Sequence, residues 1–140
     1  MRIVIAFAVA LAAAAGVSAQ TYPTRPVSLV VGFAPGGGTD TVARVMQRRL
    51  AEYLGQSVVV ENRAGASGLI GAEIAAASPP DGYTLLFSTA TLTINTTLYG
   101  SRMKIDPLKD LEPITWLTST PLVLVVHPSV PARSVKELVA

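Results

Sequence analysis

The fold is decided by the stretch VSLVVGFAPGGGTD, which spans residues 27–40. Residues 27–33 form a nearly continuous apolar run rich in valine, which is typical of a strand buried on both faces of a parallel sheet. A proline and three glycines then interrupt the run. Thr39 and Asp40 follow as good helix N-cap residues, so the stretch predicts a buried strand, a tight turn and the start of a helix.

The helix predicted after this turn carries one apolar stripe. Its apolar side chains recur at intervals of four residues, namely Val42, Met46, Leu50 and Leu54. That spacing places them on the face that packs against the sheet. Gly55 fits the C′ position, which ends a helix in the left-handed conformation.

Two further strands are predicted downstream, over residues 58–60 and 83–87. Between them, residues 62–71 form a loop with three glycines, and Ser67 is expected to cap a short alanine-rich helix that ends at Ala77. Alternation of strands and helices predicts an α/β fold with a mostly parallel sheet.

The last third of the chain is less regular. We interpret residues 88–113 as polar and irregular, and residues 114–118 and 122–126 as strands. Residues 134–137 (SVKE) match a capping box and predict a helix that begins at about Val135. Because the chain ends less than two turns later, we expect it to be the N-terminal part of a longer protein. The aromatic side chains of Tyr83 and Trp116 are expected in the core.

Composition limits the classes of function. The chain has 140 residues, 50% of them hydrophobic, with a formal charge of +2, one histidine and no cysteine. This composition fits one globular unit and excludes a disordered tail. The small, scattered positive charge argues against a nucleic-acid partner. The absence of cysteine excludes disulfides and thiolate metal sites.

Residues 1–19 have the pattern of a secretory signal peptide. Arg2 supplies the positive start, residues 3–15 are apolar, and Val17-Ser18-Ala19 offers small residues for cleavage after Ala19. The apolar run is shorter than the ~20 residues that a membrane anchor needs. The sequence therefore predicts export to the periplasm.

The glycine-rich turn has the chemistry of an anion site. Free backbone N–H groups lie at the helix N-terminus, which is the positive end of the helix dipole, and glycine lets a ligand approach them closely. Gly38 stands where a phosphate-binding loop needs lysine, and Thr41 stands where a dinucleotide fingerprint needs its third glycine. A carboxylate therefore fits better than a polyphosphate. The alternative is that the glycines only make a tight turn.

Three hydroxyl side chains follow the third predicted strand, those of Ser88, Thr89 and Thr91. In a parallel sheet they emerge at the same edge as the glycine turn, where ligands of open α/β sheets bind. Local turn formation is the alternative for them. The loop over residues 62–71 is either a third wall of the site or a plain connection. Asp40 either caps the helix or orients a ligand.

Groups for catalysis are scarce. Residues 65–69 fail the G-x-S-x-G pattern because Leu69 replaces its last glycine. His127, the only histidine, precedes Pro128 and has no evident partner. The carboxylates are not spaced for metal binding, so we predict no catalytic residue, no metal site and no cofactor. An exported α/β hydrolase is the alternative function, and a structural surface domain is the third.

Segments along the whole chain resemble the Bug receptors, which are the periplasmic binding proteins of tripartite tricarboxylate transporters. The matching segments are Tyr22-Pro23, Arg25-Pro26, residues 33–40 (FAPGGGTD), 54–56 (LGQ), 59–63 (VVENR), 71–73 (GAE), 80–85 (PDGYTL), 95–99 (NTTLY), 128–132 (PSVPA) and 134–138 (SVKEL). The chain departs from the family pattern after Asn95, where Thr96 replaces the usual proline.

The resemblance implies that this chain forms part of the first lobe of a two-lobed periplasmic-binding-protein fold. The two lobes of such a fold close on a small carboxylate. Residues 20–126 would belong to lobe one, and residues 127–140 to the crossover and the start of lobe two. The implied partners are a di- or tricarboxylate or related organic acid and the membrane components of the transporter. The local chemistry of the sequence and the resemblance together predict a set of ligand-binding residues, namely Phe33, Ala34, Pro35, Gly36, Gly37, Gly38, Thr39, Asp40, Ser88, Thr89, Thr91 and Asn95.

Overall fold

One parallel sheet organises the protein. The computed structural model describes residues 21–121 and 123–139, so the signal peptide predicted over residues 1–19 lies outside the described residues. The strands are β1 (Val27–Val31), β2 (Val58–Asn62) and β3 (Thr84–Phe87). They pair in parallel in the order β2-β1-β3, which confirms the predicted α/β class with a parallel sheet.

Each of the first three α-helices follows a strand, and two shorter helices come later in the chain. They are α1 (Gly38–Leu54), α2 (Leu69–Ala76), α3 (Thr91–Tyr99), α4 (Pro107–Asp110) and α5 (Val135–Val139). Helices α3 and α4 lie in the segment interpreted as irregular, so that interpretation was wrong. The sequence of α3 (TLTINTTLY) is rich in threonine, a poor helix former, and its N-cap residue is Ala90, which has no side-chain acceptor.

The core lies between β1 and α1. Val27 and Val31 are fully buried, and Ala43 of α1 is buried against the same cluster. Half-buried side chains of the predicted stripe pack there as well, namely Val42, Leu50 and Leu54. Gly55 ends the helix with φ 65°, and its N–H donates to the carbonyl of Ala51. The C-terminal glycine and three of the four predicted stripe positions are therefore confirmed, while Met46 is half-buried but does not pack against this cluster.

The strand register places the loops that follow β1, β2 and β3 at the same edge of the sheet. Val31, the last residue of β1, is opposite Asn62 on one side and Phe87 on the other. Because β2 and β3 lie on opposite sides of β1, the strand order reverses at β1: the connection after β1 leads to one side of it, and the connection after β2 crosses to the other side. Such a switch point opens a crevice at the carboxyl ends of the strands. The glycine turn follows the central strand at this crevice.

Three glycines make a backbone contact behind this edge. A Cβ atom built on Gly32 would lie 2.8 Å from both the Cα and the carbonyl oxygen of Gly68. A Cβ atom on Gly71 would lie 2.8 Å from the Cα of Gly32. The end of β1 and the start of α2 therefore pack main chain against main chain, a contact that the sequence analysis did not predict.

The strands predicted over residues 114–118 and 122–126 are absent from the described residues of those segments. Trp116 is 84% exposed, so its predicted core position was also wrong. A strand needs a neighbour to satisfy its backbone, and the described residues supply none there. Tyr83 does pack against the core, and α5 begins at Val135 as predicted.

We expect the 140-residue chain, produced alone, to bind a hydrophobic dye and to self-associate. The described segment after residue 113 exposes large apolar side chains to water, among them Ile114, Trp116, Val123 and Val125. A contiguous apolar surface of this kind marks a site of association. Dye fluorescence and size-exclusion chromatography measure both effects. A monomer with a sharp, reversible melt and no dye binding would contradict the expectation.

Candidate functional site

The glycine turn leaves the start of α1 uncapped. Residues 34–38 are exposed, Gly36 has φ 83°, and Gly37 is the N-cap residue with φ −75°. Gly37 has no side chain that could accept a bond from the first-turn N–H groups, and its carbonyl accepts from the N–H and the hydroxyl of Thr41 at 2.9 and 3.1 Å. The N–H groups of the first turn have no partner within a helix. An exposed set of donors at the positive end of a 17-residue helix suits an anion.

Asp40 lies beneath this turn and is 2% exposed. Its Oδ2 atom accepts hydrogen bonds from the N–H of Gly36 and from Nε of Arg44, both at 2.9 Å. Its Oδ1 atom accepts a bond from Nδ2 of Asn62 at 2.8 Å. Helix α1 begins at Gly38 with Gly37 as its N-cap residue, so neither Thr39 nor Asp40 takes the N-cap position predicted for them, and the alternative role of Asp40 in orienting a ligand stays a prediction. The carboxylate reaches back from the first turn to hold the turn that precedes the helix.

The same contacts lower the pKa of the Asp40 carboxyl group. The hydrogen bond from Arg44 is the main cause, with those from Gly36 and Asn62, and together they lower the pKa of Asp40 from 3.8 to about 2. Each bond favours the charged carboxylate over the protonated acid. Asp40 is therefore an anion at every pH at which the protein would meet a carboxylate ligand.

We expect Asp40 to make the folded protein sensitive to acid. Because its folded pKa is depressed, its contribution to stability is complete above the unfolded value near 3.8 and is lost as the pH falls through about 2. Melting temperatures measured from pH 5 to about pH 2 on the complete reading frame should fall less steeply in Asp40→Asn than in the wild type. Glu52→Gln, at an exposed surface pair, is the control and should keep the wild-type slope. Equal slopes in all three proteins would contradict the assignment.

The hydroxyl cluster lies at the end of β3. Thr89 Oγ1 donates to Thr91 Oγ1 at 2.9 Å and accepts from the N–H of Thr91 at 3.3 Å. The Ser88 hydroxyl is exposed and makes only a long 3.4 Å bond to the carbonyl of Thr89. The predicted position at the edge of the glycine turn is confirmed by the strand register. The contact of these hydroxyls with a ligand stays a prediction.

Asn95 is 1% exposed, and its Nδ2 atom donates to the carbonyl of Ser67 at 3.2 Å. Its side chain thus supports the loop before α2, while its predicted contact with a ligand stays a prediction. Ser67 itself has φ 54° and does not cap α2, whose N-cap residue is Gly68, so the predicted cap was wrong. Gly68 leaves room for the Phe33 ring, which would lie 3.3 Å from a Cβ atom there. The loop therefore packs against Phe33 of the glycine turn, and its role as a third wall of the ligand site stays a prediction.

Two arginines near these loops form ion pairs. Arg44 is bonded to Asp40, and Arg63 to Glu61 at 2.9 Å. An open depression of about 500 Å³ lies beside the turn and the first half of α1; it is lined by Pro35, Gly36, Asp40, Thr41, Arg44, Val45 and Arg48. Within residues 21–121 and 123–139, no group of three His, Asp or Glu side chains is placed to hold a metal.

Comparison with known proteins finds relatives from the receptor family that the sequence resembles, over most of the chain. The family model described as tripartite tricarboxylate transporter family receptor matches residues 42–140. BugT of Bordetella pertussis (strain Tohama I) is 48% identical over 129 residues, which covers 91% of this chain and 39% of that protein. The chain spans 35–40% of the length of the curated relatives it matches.

Two solved structures from Rhodopseudomonas palustris are similar to this chain and hold carboxylates. Rpa4515 with adipate superimposes with a TM-score of 0.75 at 42% identity, covering 84% of this chain and 40% of that one. MatC (Rpa3494) with bound malate gives 0.54 at 37% identity, covering 64% and 30%. With the family match over residues 42–140, these findings show that the chain belongs to the tripartite tricarboxylate transporter receptor family.

Proposed function

We propose that the chain is part of an extracytoplasmic solute-binding receptor that captures a small carboxylate for a tripartite tricarboxylate-type transporter. The observation that carries the proposal is the uncapped, exposed start of α1 at the switch point of a parallel sheet. Main-chain N–H groups there are suited to an anionic ligand. Adipate and malate in the related structures support a dicarboxylate or a similar organic acid.

The proposed binding surface consists of the glycine turn, residues 33–40, and the hydroxyl segment that follows β3. Its members are the predicted residues Phe33, Ala34, Pro35, Gly36, Gly37, Gly38, Thr39, Asp40, Ser88, Thr89, Thr91 and Asn95. Two of them, Asp40 and Asn95, are buried and contribute by holding loops in place. Residues 20–126 would belong to lobe one, and residues 127–140 to the crossover and the start of lobe two.

A hydrolase is the weaker proposal. The imidazole of His127 contacts only its own turn in the described structure, through the hydroxyl and the N–H of Ser129. A general base needs an orienting partner and a nucleophile that faces substrate. We propose that the receptor binds its ligand without cofactor, metal or turnover, and that its protein partners are the membrane components of the transporter.

Calorimetric titration of the protein expressed from its complete reading frame tests this function. The panel contains malate, adipate and citrate, with a sugar and a neutral amide as controls. We expect binding of at least one carboxylate and none of the neutral compounds. Removal of one hydroxyl in Thr39→Val should weaken that binding by about 0.5–1.5 kcal/mol, or about 1.5–3 kcal/mol if the hydroxyl bonds to the charged group. Chemical conversion of a bound acid would favour the hydrolase.

Export is tested by the N-terminus of the mature protein. Among the described residues, none of the helices is both long enough and apolar enough to cross a membrane. We expect N-terminal sequencing of periplasmic protein to begin at Gln20 or within a residue or two of it, since Val17-Ser18-Ala19 precedes that position. A cytoplasmic protein that retains Met1 would contradict the proposal.

A further inference from the structure

The side chain of Asn62 connects β2 to the glycine turn. Asn62 is the last residue of β2, and its Nδ2 atom donates to the carbonyl of Phe33 at 3.1 Å and to Asp40 Oδ1 at 2.8 Å. Its Oδ1 atom accepts from Nη2 of Arg44 at 3.2 Å. Both amide hydrogens are thus used within the protein, which leaves no donor for a ligand. Any effect of Asn62 on binding must act through the groups it holds.

The groups it holds lie at the two ends of the turn. The carbonyl of Phe33 is fixed by Asn62 directly, and the N–H of Gly36 is fixed by Asp40, whose other oxygen is bonded to Asn62. The chain between them, Ala34-Pro35, is exposed, and Gly36 at its end has φ 83°. Pro35 restricts only its own φ, so the hydrogen bonds at the two ends set the rest of the path. The hydrogen bond to the carbonyl of Phe33 and the one from the N–H of Gly36 therefore define the path of the main chain into Gly37.

We propose that Asn62 is a positioning residue for carboxylate binding, because it fixes the turn that presents the first N–H groups of α1. The proposal rests on the proposed function of the glycine turn. A loop that is ordered before the ligand arrives loses less entropy on binding, and its affinity is higher for that reason. Asn62 would supply this order without contacting the ligand.

Two substitutions test the proposal in the protein expressed from its complete reading frame. Asn62→Ala removes both donated bonds and should weaken binding of malate or adipate about tenfold. Asn62→Asp should weaken it further, since a carboxylate oxygen would then face the carbonyl of Phe33 and the carboxylate of Asp40. Titration is carried out at a temperature at which circular dichroism shows each variant folded.

Gln47→Ala is the matched control. Gln47 lies on α1, and its side chain also donates to a backbone carbonyl of β2, that of Val58 at 2.7 Å, far from the turn. This variant loses one hydrogen bond between α1 and β2, whereas Asn62→Ala loses three. Because both variants are titrated where they are folded, a role in stability alone would leave the affinity of both unchanged. We expect Gln47→Ala to keep wild-type affinity.

Hydrogen exchange at the N–H of Gly36 supplies a readout that stability alone does not move. It should accelerate in Asn62→Ala and stay at the wild-type rate in Gln47→Ala, while exchange in β1 is unchanged in both. Combining Asp40→Asn with Asn62→Asp exchanges the donor and the acceptor of this bond. The double variant should therefore recover part of the affinity and of the protection that Asn62→Asp loses.

The outcomes are distinguishable. Wild-type affinity in Asn62→Ala and Asn62→Asp, or equal losses in Asn62→Ala and Gln47→Ala, would overturn the positioning role. A wild-type protein that binds none of the carboxylates overturns the proposed function instead. In that case faster exchange at Gly36 in Asn62→Ala still supports Asn62 as the residue that holds the turn, and unchanged exchange overturns it.

Discussion

Gly37→Val should abolish carboxylate binding while the protein remains folded. Gly37 has φ −75° and ψ 168°, a conformation that valine adopts readily. A Cβ atom there would meet only the carbonyl of Ala34 at 3.5 Å, an ordinary contact. The substitution therefore introduces no strain in the turn. Its branched side chain would cover the N–H groups that the ligand needs, so the effect is confined to binding.

Calorimetric titration with malate and adipate measures this loss, and a thermal melt followed by circular dichroism checks the fold. Gly36→Val gives the informative contrast, because φ 83° at Gly36 strains any branched side chain. That variant should lose both affinity and thermal stability, whereas Gly37→Val should lose affinity alone. Carboxylate binding that survives Gly37→Val unchanged would move the site away from the turn.

Gly32→Ala should be among the most destabilising small substitutions in the chain. Its added methyl group would be 2.8 Å from the Cα and the carbonyl oxygen of Gly68, and neither main-chain atom can rotate away. The strand and α2 would have to separate, and overpacking of this kind costs about 1–3 kcal/mol. Urea unfolding of the protein from its complete reading frame measures the change.

Gly38→Ala is the matched control for this substitution. A Cβ atom on Gly38 would meet nothing within 4 Å, and the residue lies at the first position of α1. Alanine favours the helix over glycine, so this variant should be neutral or slightly more stable. Equal free energies of unfolding in the two variants would show that the main-chain contact at Gly32 is loose.

Local patterns in the sequence were sufficient for the first half of the fold. The valine-rich run of β1 and the four-residue spacing from Val42 to Leu54 each report on one element and its burial. Gly55 marks the helix end because a left-handed residue is needed there. Parallel pairing then follows from the alternation of strand and helix, and it places the glycine turn at the edge where ligands bind.

Features that depend on distant contacts were missed. Gly32 and Gly71 are 39 positions apart, and nothing local indicates that their main chains touch. Asp40 was expected as an N-cap residue because its type suits that position, but the donors that hold it come from Gly36, Arg44 and Asn62. Trp116 was placed in the core by its chemistry alone, and a core position requires neighbours that the described residues do not provide.

Donors that belong to the main chain have a consequence for how this site tolerates genetic change. The N–H groups at the start of α1 are present whichever side chain a codon specifies, so most mutations there can obstruct the site but cannot delete a donor. Proline is the exception, since it has no N–H and fits the first turn of a helix without breaking it. If the proposed site is correct, selection on such a turn acts mainly against bulky side chains, and ligand preference can change through side chains elsewhere while the main-chain donors for a carboxylate are kept.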